Sequence, residues 1–188
     1  MGECHIMIDL ETMGTRTNSM ILSIAAIRFD PKSGKHLGPY FYKKVNIDTY
    51  DKAKFSFDGD TLKWWMTLPK EARDEAFCGD NRLPIKNTLE LFITWVRDVS
   101  SNLTIKPWSH GASFDIPILA FVMNHYDLKE PWSFWNIRDT RTYYETLDFN
   151  FKNVGSVPVE GKILPAHHPL GDCARQIEGI RLALNKWK

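Results

Sequence analysis

Asp9 and Glu11 interrupt an apolar run, IMIDLETMG, at residues 6–14. A strand places residues i and i+2 on one face. The two carboxylates then stand side by side at low dielectric, each raising the pKa of the other. A bound cation relieves that repulsion; the alternative is a solvated strand end. Thr12-Met13-Gly14 turns the chain directly after the acids and leaves a small-residue mouth, where Gly14 permits close backbone approach by a ligand. Two further acids lie where elements begin. Asp115, in HGASFDIPIL, taken alone suits the N-cap of a Pro-started helix. Asp172, in PAHHPLGDCARQ, falls in the first turns of an amphipathic helix, off its apolar stripe, where an acid also compensates the helix dipole. Two histidines precede that helix, and taken alone they read as a polar loop. Spacing of i, i+4 pairs His168 with Asp172, whereas His167, ahead of Pro169, is free of helical periodicity. Spacing leaves both pairings open. Four carboxylates on three elements can hold two Mg²⁺ or Mn²⁺ through oxygen ligands, and two such ions about 4 Å apart suit in-line displacement at phosphorus.

The elements that must carry these groups can be read in outline. A strand over about Cys4–Asp9 is followed by Ile21–Phe29, which is ended by Pro31 and a Ser33-Gly34 turn, and by a third strand in GPYFYKKVN. Short connections make these antiparallel neighbours. Helices are expected from about Asp60 to Met66, after a break at Pro69 through Phe77, and in IKNTLELFITWVRDVS, where Leu89, Phe92, Ile93 and Val96 keep helical spacing. TIKPWSHG reads as a strand, FDIPILAFVMNHY as a helix with Pro117 in its first turn, and SFWNIRDT as another strand. Asp139 or Thr140 then caps a helix to about Leu147. The last helix opens near Pro169, and its Leu170, Cys173, Ala174, Ile177, Ile180 and Leu184 form one stripe. The expected fold is α/β: a mixed five-stranded sheet, three antiparallel strands first, flanked by helices, in a single domain over residues 1–188.

Net charge is +1, so no global basic field draws in a polyanion, and any such site must be built locally. No apolar run approaches a membrane span, and the N-terminus lacks the pattern of a signal peptide. Three scattered cysteines, Cys4, Cys78 and Cys173, point to a reducing compartment. Together these give the expectation of a cytoplasmic protein with no membrane partner; oligomeric state is not readable from the sequence.

The ordered set DLET, SFD before a helix, and H-x4-D resembles the DEDDh branch of the 3′→5′ exonucleases, which have the RNase H-like fold. It spans about residues 6 to 180. TLKWWMTLPKEAR, GASFDIPIL, FWNIRDTRT and H-x4-DCA also resemble the T-even phage exonuclease A and mycobacterial-type exoribonuclease groups of that clan, which implies a prophage or bacterial enzyme. The resemblance implies that Asp9, Glu11, Asp115 and Asp172 hold two metals, with Asp9 bridging. It favours His167 over His168 as the general base, in a reaction that releases 5′-mononucleotides from the 3′ end of single-stranded DNA or RNA. Members of the clan act on either sugar. Two rival classes are a binding module that keeps the fold without catalysis and a phosphodiesterase for very short oligonucleotides.

Family analogy sets Thr12 and Met13 against the terminal nucleotide, although Met13 could equally fill core. Trp64 and Trp65 point about 100° apart on a helix. One can be core while the other stacks on a base, and Trp65 is taken for the groove, with Phe114 as a weaker stacking candidate. Arg138 and Arg141 flank Asp139, which reads as a structural ion-pair network, with a phosphate-facing arginine as the other reading. Lys43, Lys44, Lys52 and Lys54 read as a solvated face, and His110 and His125 receive no role.

Overall fold

Along the first strand, Ile6, Ile8 and Leu10 enter one apolar layer while Met7 enters another on the opposite face, as the two-residue period of a strand requires. A computed structural model, covering residues 2–186, shows how the rest of the chain fills those layers. Strands β1 (Glu3–Thr12), β2 (Ile21–Phe29) and β3 (Phe41–Asn46) form an antiparallel meander. Helices α1 (Gly59–Thr67) and α2 (Lys70–Phe77) follow, separated at Leu68-Pro69 as the proline demands. Then come β4 (Arg82–Pro84), α3 (Ile85–Ser100), β5 (Thr104–Ser109), α4 (Asp115–His125), β6 (Arg138–Asp139), α5 (Thr140–Thr146) and α6 (Pro169–Lys186).

The sheet runs β4-β3-β2-β1-β5-β6. It has six strands, not the expected five. The added strand, β4, is three residues paired parallel to β3 at the edge. Such a piece carries no alternation, and its Pro84 is tolerated only at an edge. The strand expected in SFWNIRDT shrinks to Arg138–Asp139, because Phe134–Asn136 close a 3-10 turn. The third strand begins at Phe41, after the GPY segment.

Trp65 of α1, Leu89, Phe92 and Val96 of α3, and Leu119 and Val122 of α4 fill the first layer. Tyr144 of α5 and Leu170, Cys173, Ala174, Ile177 and Ile180 of α6 fill the second, so the stripe read from the sequence is the buried face of the last helix. Among the described residues no helix is long and apolar enough to cross a membrane.

Two features of β1 position the site. Asp9 and Glu11 share the face of Met7 and so look toward α6. Just beyond them the β1–β2 ladder slips: Glu11 lies opposite Ser23 but Thr12 lies opposite Ile21. This bulge ends the regular pairing where the acids emerge.

Candidate active site

β1 meets α6 over Asp9. The Gln176 side-chain amide donates to Asp9 Oδ1 at 2.8 Å, and Asp172 lies one turn earlier on the same helix. Asp115 arrives from the opposite layer as the first residue of α4. It is not the cap of that helix, whose N-cap position is Phe114, without a side-chain bond. Its Oδ1 instead accepts the Leu10 N–H at 3.1 Å, a contact between residues 105 apart in sequence. The backbone donor between the two acids of β1 thus fixes the third acid beside them.

His167 completes the set. Ligand atoms of Glu11, His167 and Asp172 all lie within 4.8 Å of one another. His167 holds a left-handed backbone (φ 58°), uncommon outside glycine, and its ring stands edge-on to Trp64 at 5.0 Å. His168 faces elsewhere. It is buried, its Nδ1 accepts the Leu170 N–H at 3.2 Å as the N-cap of α6, and its Nε2 is 3.6 Å from Glu75. The fold therefore brings His167, not His168, to the acids.

All five residues line one cleft of about 390 Å³. Burial raises the Asp9 carboxyl well above its ordinary value, and the charges of Asp115, Asp172 and Glu11 add to the effect. Glu11 is raised in the same way by burial, Asp172 and Asp115. Burial pushes Asp115 up to about 7, against the bond from Leu10. Asp172 is raised by burial, opposed by His167 and Arg175. Among the described residues none of the four carboxylates forms an ion pair. A cluster of hard oxygen donors with no ion-pair partner among the described residues fits divalent cations such as Mg²⁺ or Mn²⁺.

A second pocket, about 480 Å³, adjoins the cleft and shares Leu10, Glu11, Trp64 and Phe114 with it. Thr12 lines it, with its hydroxyl donating to the Gly14 carbonyl at 2.7 Å. Both tryptophans line the second pocket. Trp65 is fully buried and its indole N–H donates to the Thr12 carbonyl at 3.1 Å, whereas Trp64 is 42% exposed and walls both cavities. Met13 is core, held between Met20 and Asp58 by backbone bonds. Gly14 is small for an internal reason, since a Cβ there would lie 2.7 Å from Ser19 Oγ.

Among the described residues Asp139 forms no ion pair with either flanking arginine. Asp139 caps α5 by accepting the N–H groups of Arg141 and Thr142, and it also accepts from Ala112. Arg141 is left facing the cleft. His110, given no role from the sequence, lines the cleft too. Its Nδ1 lies 2.8 Å from Thr140 Oγ1, and burial, reinforced by Arg141, lowers its pKa to about 4. Gln176 was also missed, although its i+4 spacing from Asp172 placed it on the same helix face.

Two acids on the first strand, a third at the head of a helix and a histidine five residues before a fourth thus line one cleft, in the pattern that the sequence resemblance implied. The chain belongs to the 3′-5′ exoribonuclease Rv2179c-like domain family, whose model matches residues 4–183. It is 28% identical to the exodeoxyribonuclease of Enterobacteria phage T4, over 94% of this chain and 87% of that protein. Among solved structures, the nuclease domain of 3′hExo, a DEDDh family member bound to rAMP, superposes with a TM-score of 0.58 at 12% identity, over 97% of this chain and 92% of that one. E. coli exonuclease I in complex with a 5cy-dT13 oligonucleotide gives 0.61 at 16% identity, over 99% of this chain but only 41% of that one. The protein is a 3′-5′ exonuclease.

Proposed function

We propose that this domain removes 5′-mononucleotides one at a time from the free 3′-hydroxyl end of single-stranded DNA or RNA, with two divalent cations, Mg²⁺ or Mn²⁺. The carrying observation is the meeting of four unpaired carboxylates and His167 in one cleft beside an aromatic pocket. Asp9, Glu11, Asp115 and Asp172 would hold the ions. Bound there, they would acidify water and neutralise charge building on the phosphoryl oxygens.

The chain's own groups supply the rest. His167 accepts the proton of the attacking water. Its left-handed backbone turns the imidazole toward Glu11 and Asp172, while the next residue caps the helix. Gln176 and the Leu10 N–H hold Asp9 and Asp115 in place. The terminal nucleoside enters the second pocket, where Trp64 and Phe114 offer ring faces and Thr12 a polar rim. Met13 and Trp65 act from beneath, supporting that rim. The family description names RNA and the phage relative's name DNA, so both sugars are proposed as substrates.

The test is digestion of end-labelled DNA and RNA oligomers with Mg²⁺ or Mn²⁺. Labelled mononucleotide should appear from the 3′ end, a 3′-phosphate should block it, and a blocked 5′ end should have no effect. Equal degradation of a closed circle would mean an endonuclease and overturn the reading.

A further inference from the structure

The cleft has two unlike ends. On one side it opens into the aromatic pocket through Leu10, Glu11, Trp64 and Phe114. On the other it runs into a groove of about 360 Å³ walled by segments 154–157 and 164–166 and by the start of α6, with which it shares His167, Asp172 and Arg175. The pocket and the groove have no residue in common, so the order is aromatic pocket, acids, groove. Two arginines stand on the groove side of this order or within the cleft.

Arg141 lies over Gly111, where a Cβ would be only 3.1 Å from its guanidinium carbon; Gly111 (φ 98°) leaves the room that this packing needs. Arg175 donates from Nε to the Val154 carbonyl at 2.9 Å and lies 4.4 Å over the Phe151 ring. Its two terminal nitrogens make no hydrogen bond among the described residues. Neither arginine forms an ion pair among the described residues, although four carboxylates share the cleft. Arg141 is thus held by packing and Arg175 by its ring contact and its Nε bond, and among the described residues the terminal nitrogens of both have no hydrogen-bond partner. Both depress the pKa of His110, which places them around one spot.

A polynucleotide held by its 3′ end puts a nucleoside beyond the scissile phosphate and a further phosphate on the 5′ side of it. We infer that Arg141 and Arg175 clamp the phosphate one linkage 5′ of the scissile bond, with the preceding nucleotide lying in the groove between Val154 and Ala166. The guanidinium fork suits such an oxyanion. This clamp would register the chain by its backbone and would carry no base preference. The inference rests on the exonuclease reading and adds the direction in which the strand leaves the site.

The experiment uses single-turnover release of the 3′ nucleotide from an oligonucleotide whose second linkage from the 3′ end is a phosphate or a neutral methylphosphonate, in DNA and RNA series. For the wild type the neutral linkage should slow release by at least about tenfold, the size of one charge-assisted hydrogen bond. Arg141→Ala should slow the ordinary oligonucleotide and become indifferent to the replacement, and Arg175→Gln, which keeps a donor for Val154, should do the same. Arg138→Ala should keep the wild-type ratio, since that side chain is turned to the Trp135 and Ile137 carbonyls. Anisotropy of a labelled single strand should also lose about 0.7 from its log–log salt slope when both arginines are removed, the share of the one phosphate they hold. Equal wild-type rates on both linkages would overturn the clamp while leaving the nuclease intact. So would an Arg141→Ala enzyme that is slow on both linkages with an unchanged ratio, which would put the arginine on the scissile phosphate. No release from the unmodified oligonucleotide would instead defeat the exonuclease reading.

Discussion

Asp115→Asn should make the metal-free protein more stable and inactive. The replacement keeps an oxygen for the Leu10 N–H, bonded at 3.1 Å, so the link between α4 and β1 survives. What it removes is a buried charge beside other buried charges. Burial lifts Asp115 from its ordinary 3.8 to about 7. The native state therefore keeps a proton that the unfolded chain has already lost, and stability falls as pH rises from about 4 to about 7, then levels off. At 1.36 kcal/mol per unit of pKa, the ionised carboxyl costs the fold on the order of 4 kcal/mol near pH 8 and less than half of that near pH 5. Urea melts in EDTA should show the variant gaining about those amounts at the two pH values, with the larger gain near pH 8. Mg²⁺ or Mn²⁺ should stabilise the wild type at pH 8, by RT ln(1 + [L]/Kd), and the variant much less. A variant less stable than the wild type at pH 8, or a wild type whose stability does not fall between pH 5 and pH 8 without metal, would refute the electrostatic account of the site.

The two histidines should separate cleanly. His167→Ala should lower kcat by about 10²–10⁴-fold, the usual worth of general-base catalysis, with part of the loss recovered at high pH; His168→Ala should cost about 1 kcal/mol of helix-cap stability in a denaturant melt and keep most activity. The adjacent tryptophans should do the reverse of what their shared chemistry suggests. Trp64→Ala should raise KM by about tenfold, from one lost base stack, with little change in melting, whereas Trp65→Ala should cost about 3–5 kcal/mol of stability as a core truncation.

What the sequence made legible was whatever follows from a period. The two-residue repeat of β1 put Asp9 and Glu11 on one face, and the helical stripe of α6 named the residues that seal the second layer. Groups whose placement depends on a neighbour's phase were not legible. Trp64 and Trp65 are chemically alike, so only the side on which α1 meets the sheet tells them apart. The histidine pair is resolved by a left-handed residue that no glycine marks. Asp115 looked like a helix cap because a cap is local, while its actual donor lies on another layer of the fold. Asp139 teaches the same lesson from the other direction. Pairing it with its flanking arginines treats charge as the strongest attraction available. At the start of α5, backbone N–H groups compete for the carboxylate and win, with bonds from Arg141 at 2.7 Å, Thr142 at 3.1 Å and Ala112 at 2.5 Å. Those donors would otherwise go unsatisfied, whereas a guanidinium at the mouth of a cleft remains solvated. The acid is thus consumed by structure, and the Arg141 charge is left over for a ligand.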